Sequence, residues 1–131
     1  MFYISFMMSS DNPNHNSTAS PFGKNAETLV AQTPAPPYYA VIFTSVRAPG
    51  DEGYGDMADE MDKLARQQEG FLGVESARNE VGITVSYWAS VEAIKNWKAN
   101  ARHLFAQQQG REKWYENYKV RICKVEHDYS F

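Results

Sequence analysis

The sequence predicts an α+β fold in which the elements follow one another as β-α-β-β-α-β, the ferredoxin-like arrangement. Short runs rich in β-branched and aromatic residues indicate four strands. Two stretches carry apolar residues at helical spacing and indicate two amphipathic helices. The chain has 131 residues, of which 43% are hydrophobic and 14% aromatic. This length and composition predict a single domain with a sizeable buried core.

Composition divides the chain into two parts near residue 38. Residues 9–37 hold five of the six prolines, and they offer too little apolar surface to offset the entropy of ordering them. We therefore expect a flexible N-terminal tail over residues 1–37 and a folded domain over residues 38–131. The first eight residues are mostly apolar, but no Lys or Arg precedes them and no clear cleavage site follows. This favours a cytoplasmic protein over a secreted one, with a misassigned start codon as a further alternative.

The domain is predicted to begin with a strand and a helix. Residues 38–46 (YYAVIFTSV) are dense in strand-forming residues and lie between Pro37 and Pro49. Residues 53–69 have charged residues on one side and an apolar stripe on the other, which predicts a surface helix. Gly70 stands where a left-handed residue would close that helix. The stripe consists of Tyr54, Met57, Ala58, Met61, Leu64 and Ala65.

A hairpin and a last strand are predicted in the second half. Two strands over residues 71–78 and 83–88 flank the turn-forming residues 79–82 (NEVG). Residues 118–126 (YKVRICKVE) alternate between apolar and polar side chains and predict the fourth strand.

The second helix is predicted between the hairpin and the last strand. Ser90 is a good N-cap, and Glu92 is favourably placed in the first turn. Gly110 can end the helix, and residues 111–115 can add a further helical turn. The apolar stripe consists of Val91, Ile94, Trp97, Ala101, Leu104 and Phe105.

Both faces of the predicted sheet are apolar, although two helices can cover only one of them. In the hairpin, alternation places Leu72 and Val74 opposite to Phe71 and Ala77. An open apolar sheet face is an interaction site, so we expect a homodimer that packs sheet against sheet. The alternative is that the N-terminal tail covers this face. In the first strand, the apolar residues of one face are Tyr39, Val41 and Phe43, and those of the other face are Tyr38, Ala40, Ile42 and Val46.

Several classes of function find no support in the sequence. The net charge of −3 argues against nucleic-acid binding, and no apolar run approaches the ~18–20 residues of a membrane helix. His15, His103 and His127 lack metal-ligand spacing. Cys123 is the only cysteine, and its place within a strand predicts a buried, inert thiol. The glycine-rich residues 50–55 match no phosphate-binding motif, and their acidic neighbours would repel a phosphate.

Trp97 lies at the centre of the second helical stripe and has two interpretations. It is either a core residue, as residues of such stripes usually are, or the wall of a pocket between helix and sheet. His103 falls about 120° from Trp97 around an unbroken helix, among polar residues. A catalytic role for His103 would therefore require the helix to break or rotate near residues 98–100. The aromatic residues expected near Trp97 are Tyr87, Trp88 and Tyr115.

Three stretches of the chain resemble the antibiotic biosynthesis monooxygenase family. They are PPYYAVIFTS over residues 36–45, the hairpin that begins with GFLGVE at residue 70 and ends at Trp88, and SVEAIKNW over residues 90–97. The resemblance implies a dimeric α+β barrel. It also implies oxidation of a small aromatic or polyphenolic substrate by O₂, without flavin or metal, in which the substrate itself donates the electrons.

Six residues form the candidate site. Trp97 matches the family tryptophan. We expect Arg47 to anchor an anionic or phenolic oxygen of a small-molecule substrate, and we expect no cofactor. The expected catalytic residues are Trp97, His103 and Tyr115, and the expected substrate-binding residues are Arg47, Tyr87 and Trp88.

Two alternatives stay open at this point. A barrel of this kind can bind a ligand without catalysis, because one fold hosts many functions. Related members of the family bind and degrade haem with a Trp-His-Asn set. In this chain Gln107 stands near the position of that His, Thr44 and Ser45 stand near that of the Asn, and His103 comes too early along the helix.

Overall fold

Six secondary-structure elements follow one another in the predicted order. The computed structural model describes residues 29–50, 53–107 and 114–131. Residues 1–28 of the predicted tail, the predicted helix end at Gly110 and most of the helical turn predicted after it lie outside these ranges. None of the described helices is long and apolar enough to cross a membrane. The elements are β1 (Tyr38–Arg47), α1 (Tyr54–Arg66), β2 (Phe71–Arg78), β3 (Gly82–Trp88), α2 (Val91–Gln107) and β4 (Tyr115–Val125).

The four strands form one antiparallel sheet in the order β2-β3-β1-β4. In the centre of the sheet, Phe43 of β1 pairs with Thr84 of β3 and with Val120 of β4. The face that contains Phe43 packs against both helices, and we call it the helix-covered face. Successive residues of a strand point to opposite faces, so the neighbours of Phe43 in β1 lie on the other side. This open face carries Tyr38, Ala40, Ile42, Thr44 and Val46 of β1 and Ile83, Val85 and Tyr87 of β3.

α1 buries the apolar stripe that the sequence predicts. The helix ends at Arg66, three residues before the predicted end. The backbone N–H groups of Gln67 and Gln68 turn back to the carbonyls of Leu64 and Ala65, which closes the helix with shorter 3₁₀-type bonds. At most 5% of Tyr54, Met57, Ala58, Met61 and Ala65 is exposed, and Leu64 is half-buried.

α2 begins at the predicted N-cap. The Ser90 hydroxyl accepts a hydrogen bond from the Ala93 N–H at 3.0 Å. Gly70 has the predicted left-handed conformation, with φ of 86°, but it does not close α1, whose C-cap is Gln67. A Cβ at Gly70 would lie only 2.6 Å from the Cβ of Ala93. Val91 is 41% exposed although the stripe predicts it to be buried, because Ala93 makes the packing contact in this turn. Ile94, Trp97 and Ala101 are buried as predicted, and Leu104 and Phe105 are partly buried.

Besides Val91, two predictions about side-chain burial or direction are wrong. Phe71 packs against the helix-covered core together with Val74, whereas alternation predicts opposite faces. The register of β2 against β3 is irregular between Phe71 and Gly73, and such a bulge moves a side chain to the other face. Cys123 is exposed rather than buried, because it lies opposite Ala40 on the open face of an edge strand.

The last strand is longer than predicted at its beginning. β4 starts at Tyr115, where the sequence predicts a helical turn, and not at residue 118. Tyr115 pairs with Arg47 after a shift of register at the end of β1. This extension brings the beginning of β4 beside the end of β1.

Residues just before β1 touch one end of the open face. The Ala31 N–H donates to Glu75 Oε2 at 2.9 Å, and the Thr33 hydroxyl donates to the Tyr38 hydroxyl at 3.0 Å. Tyr38 in turn donates to Asp128 Oδ2, and this hydrogen bond raises the pKa of Tyr38. Residues 31–33 thus cover part of this end, whereas Ile83, towards the other end, is 45% exposed.

Candidate functional site

Three hydroxyl-bearing residues lie buried on the helix-covered face. Ser45 of β1 and Thr84 and Ser86 of β3 are at most 2% exposed. Thr84 and Ser86 are successive residues on one side of β3, so their Cα atoms lie about 7 Å apart. We call these three residues the polar row. They place hydroxyl groups inside a core that is otherwise mostly apolar and aromatic.

A pair of tryptophans lies at one end of the polar row. The rings of Trp88 and Trp97 stack with centroids 5.9 Å apart and an interplanar angle of 23°. Both side chains are fully buried. The Trp88 Nε1–H donates to the Ser86 hydroxyl at 2.9 Å, so β3 supplies both the indole and its hydrogen-bond acceptor. Trp88 thus lies near Trp97, as the sequence predicts, and the two rings are in direct contact.

Two polar atoms of this region have no hydrogen-bond partner among the described residues. They are Nε1 of Trp97 and Oγ1 of Thr84. An unpaired buried donor or acceptor costs about 1–3 kcal/mol, and buried polar groups in native proteins are nearly always paired. These two groups can therefore hydrogen-bond a polar molecule from within the core.

The opposite end of the helix-covered face carries polar aromatic residues and arginines. The Tyr115 hydroxyl donates to the Tyr54 hydroxyl at 3.0 Å. The Arg47 guanidinium lies 3.9 Å from the centre of the Tyr54 ring, which is a cation–π contact. Beside it is a surface hollow of about 480 Å³, which we call the arginine hollow; it is lined by Arg47, Arg78, Asn79 and Glu80.

The predicted site residues on this face therefore form two groups. Trp88 pairs with Tyr39, and Arg47 follows eight residues later in β1, so the two ends of the face are about 26 Å apart. The structure brings Trp88 to Trp97 and places Tyr115 opposite Arg47, but it does not bring the two groups into contact. The polar row lies between them.

Tyr87 lies on the other side of the sheet. It follows Ser86 and precedes Trp88, so its side chain points to the open face. There its hydroxyl donates to Glu75 Oε1. Burial, and secondly this hydrogen bond to a carboxylate, raise the pKa of Tyr87. Tyr87 therefore does not line the same space as the tryptophan pair.

His103 lies outside the core. α2 continues without a break from Val91 to Gln107, and His103 is exposed on its outer side. The break or rotation near residues 98–100 that a catalytic role would require is not present. His103 is therefore not part of either group of site residues.

Sequence reasoning identifies neither Thr84 and Ser86 of the polar row nor two other residues near the core. A signal for Thr84 and Ser86 exists, because they alternate with Val85 in a strand that pairs with β1. The helical stripe predicts Tyr54 as a core residue only. Asp62 gives no signal, since an Asp four residues before an Arg resembles an exposed helical ion pair.

Asp62 is in fact a buried carboxylate. It is 4% exposed, and its Oδ2 accepts a hydrogen bond from Arg66 Nε at 3.0 Å. Its Oδ1 has no hydrogen-bond partner within the described ranges. Burial raises the pKa of Asp62, and the contact with Arg66 opposes that rise.

The described residues offer neither a metal-ligand cluster nor a histidine within the core. They contain no group of three or more His, Cys, Asp or Glu side chains that could hold a metal ion. A haem iron usually takes an axial ligand such as His, but His103 and His127 are both exposed. His15 and the side chain of Gln107 lie outside the description. The described core therefore supplies no histidine ligand for haem.

The antiparallel sheet with both helices on one face defines a ferredoxin-like α+β domain, and solved structures share this fold. PA3566 from Pseudomonas aeruginosa has a TM-score of 0.57 at 17% identity, with 71% of this chain and 98% of that chain covered. Rv0793 from Mycobacterium tuberculosis has a TM-score of 0.59 at 15% identity, with 71% of this chain and 99% of that chain covered. A variant of MhuD solved with two manganese protoporphyrin IX molecules per active site has a TM-score of 0.55 at 18% identity, with 71% and 99% covered.

Sequence comparison identifies the family. The model of the antibiotic biosynthesis monooxygenase family matches residues 37–109, and the chain belongs to that family. The uncharacterized protein YqjZ of Bacillus subtilis (strain 168) is 51% identical over 105 residues, which cover 79% of this chain and 92% of that protein. The resemblance drawn from the sequence is thus confirmed at the level of the family and its fold.

Proposed function

We propose that the chain is a monooxygenase that uses O₂, without a cofactor, to oxidise a small aromatic substrate. The substrate lies between the sheet and the helices of each subunit of a homodimer. Membership of the antibiotic biosynthesis monooxygenase family supports the reaction class. The observation that carries the proposal is the buried Trp88–Trp97 stack, in which the Trp97 indole N–H has no partner among the described residues.

A substrate that supplies all the electrons makes a cofactor unnecessary. In a phenolic compound with an activated CH₂ group, loss of a proton gives an electron-rich anion that can react with O₂. One oxygen atom then becomes a carbonyl oxygen, and the other leaves as water with the two hydrogens of the CH₂ group. The overall change, CH₂ + O₂ → C=O + H₂O, balances without a further reductant. The protein contributes orientation and the exclusion of water.

The roles of the residues follow from their places in the fold. The tryptophan pair forms the wall against which an aromatic ring can stack. The Trp97 N–H and the Thr84 hydroxyl donate to a substrate oxygen that gains negative charge during the reaction. Arg47 and Tyr115 lie at the other end of the face, about 26 Å away, so they hold an anionic or phenolic oxygen of a ligand there and not of a small substrate on the tryptophan pair.

His103 and Tyr87 have more limited roles in this proposal. His103 acts only on a substrate that reaches the outer side of α2, and Tyr115 acts only on a substrate that reaches the arginine end of the helix-covered face. Tyr87 faces away from the tryptophan pair and can meet a ligand only at the open face. In a homodimer that face meets the second copy.

The homodimer is proposed from the open face. Ile42 and Val85 are half-buried in a single copy, and Ile83 is 45% exposed. A second copy that packs its own open face here would remove this apolar surface from water. A cytoplasmic location is part of the same proposal, since a single exposed thiol, Cys123, suits a reducing compartment.

A second candidate is a dimer that binds a ligand without catalysis. It is favoured by one observation: both described histidines are exposed, so within the described residues no imidazole reaches the tryptophan pair. Degradation of haem is the third possibility, and a haem titration that leaves the Soret band unchanged would remove it.

Oxygen uptake tests the proposal. The whole protein is given dihydroxynaphthalenes and anthrone-type compounds, and O₂ consumption is compared with product formation. We expect one O₂ to be consumed for each quinone molecule formed, without added reductant. Trp97→Phe should lower turnover about a hundredfold, the effect of removing one donor to a developing oxyanion. Trp114→Phe, which makes the same change at another buried tryptophan, should alter stability only. Binding without turnover across the panel would favour the second candidate.

A further inference from the structure

Arg78 crosses the sheet on the helix-covered face instead of extending into solvent. In the strand register, Arg78 of β2 stands beside Gly82 of β3, and Gly82 stands beside Ser45 of β1. The Arg78 Nη2 donates to the Ser45 hydroxyl at 2.5 Å. The Arg78 side chain therefore starts in β2, passes over Gly82 of β3 and reaches Ser45 of β1.

Gly82 is required by this path. A Cβ at residue 82 would overlap the guanidinium of Arg78. Gly82 is buried and belongs to a strand, where glycine usually weakens pairing and marks a close approach of another group. Because the guanidinium is planar, its position over Gly82 and its bond to Ser45 together fix the direction of its N–H groups.

Arg78 contributes a positive charge in a fixed position to the arginine hollow. Two guanidinium groups, of Arg47 and Arg78, line the hollow together with the amide of Asn79 and one carboxylate, Glu80. Arg47 is itself held by its contact with the Tyr54 ring. Guanidinium groups held in fixed positions match the two oxygens of a carboxylate better than flexible ammonium groups do.

We propose that the arginine hollow is an oxyanion-binding site in which Arg78 is the specificity-determining residue. It selects aromatic ligands that carry a carboxylate or an ionised phenol. The inference goes beyond the proposed function, because the arginine hollow lies at the opposite end of the helix-covered face from the tryptophan pair. Ser45 and Gly82 act as positioning residues, because they hold the Arg78 guanidinium over the sheet.

Salicylate, an aromatic carboxylate, is the probe that tests this site. Its binding to the full-length protein is measured by calorimetry and by the NMR shifts of the arginine Nε–H groups, next to the neutral analogue salicylamide. We expect salicylate to shift the Arg47 and Arg78 signals. Arg78→Gln should weaken salicylate binding about tenfold, the size expected for one charge-assisted hydrogen bond, and should leave salicylamide binding unchanged.

Two further variants separate position from charge. Gly82→Ala keeps Arg78 but displaces its guanidinium, and it should weaken salicylate binding by a similar factor. Arg102→Gln removes an arginine that is exposed on α2, and it should bind salicylate as the unaltered protein does. Circular dichroism verifies that each variant is folded. If Arg78→Gln does not fold, Arg78→Lys takes its place in the binding measurements.

Three results would overturn the inference: no salicylate binding by the unaltered protein, equal losses for salicylate and salicylamide, or an equal loss in Arg102→Gln. These results leave the oxygenase proposal intact if neutral quinols still consume O₂. Salicylate binding that depends on Arg78 and Gly82, without oxygen uptake from any quinol, would instead support the binding site and contradict the oxygenase.

Discussion

The two faces of the sheet carry similarly apolar residues but have different surroundings. On the helix-covered face, Val41 and Phe43 are completely buried because both helices pack over them. On the open face, their neighbour Ile42 is half-buried and Ile83 is 45% exposed. The chain thus completes its own core on one side only. The helix-covered face supplies stability and the candidate site, and we propose that the open face supplies the contact with a second copy.

Phe43→Ala should have the largest effect, because it removes a fully buried ring from the helix-covered core. We expect the free energy of unfolding to fall by about 3–5 kcal/mol. Denaturant unfolding measures this loss. Ile42→Ala, one residue away on the open face, serves as the control at protein concentrations that keep the chain monomeric. If Ile42→Ala costs as much as Phe43→Ala in the monomer, the two faces are not energetically different.

Ile83→Asp should act on association rather than on folding. Its side chain is accessible in the single copy, but in the proposed dimer the new carboxylate would be buried without a partner. We expect the dimer dissociation constant to rise about a hundredfold or more. Val91→Asp is the matched control, since Val91 is 41% exposed on α2 away from the open face. A dimer that tolerates Ile83→Asp as well as Val91→Asp would place the interface elsewhere.

Thr84→Val tests the polar row on the helix-covered face. It replaces a buried hydroxyl that has no described partner with a methyl group of similar volume. Stability should therefore rise by about 1 kcal/mol, while turnover of a substrate found in the uptake assay should fall about threefold to tenfold. Thr84→Ser retains the hydroxyl and should restore turnover. A rise in stability without any change in turnover would make Thr84 a residue of the core alone.

Asp62→Asn should have the smallest effect on stability. The effect should appear as a change in how the free energy of unfolding depends on pH. Burial raises the pKa of Asp62 in the folded state, so the folded protein holds this proton more tightly than the unfolded chain does. The resulting stability is complete below the unfolded pKa, about 3.9, and is lost as the pH rises through the folded pKa. The Asn variant should lack this loss and be at least as stable at pH 7. A variant with a steeper decline above pH 4 would contradict this explanation.

Most of the fold could be predicted from the sequence because it depends on periodicity. Helical spacing located the stripe of α1, and Ser90 located the start of α2. The direction of Phe71 could not be predicted, since it depends on a bulge that forms when β2 pairs with β3. The exposure of Cys123 likewise depends on β4 being an edge strand.

The site was harder to predict than the fold, because its geometry depends on contacts between distant segments. Trp97 was found from its place in the helical stripe. The separation of Arg47 from the tryptophan pair follows only from strand pairing, and Tyr87 lies on the open face because of its register with Ala40. The path of Arg78 over Gly82 involves three strands, and no local pattern in the sequence indicates it.

Sedimentation equilibrium of the unaltered full-length protein tests the difference between the two faces most directly. Measured from nanomolar to high micromolar concentration, the protein should show a reversible monomer–dimer equilibrium dominated by the dimer at the upper end. A fully folded monomer across the entire range would mean that the open face needs no second copy. It would contradict the proposal that the open face forms the dimer contact.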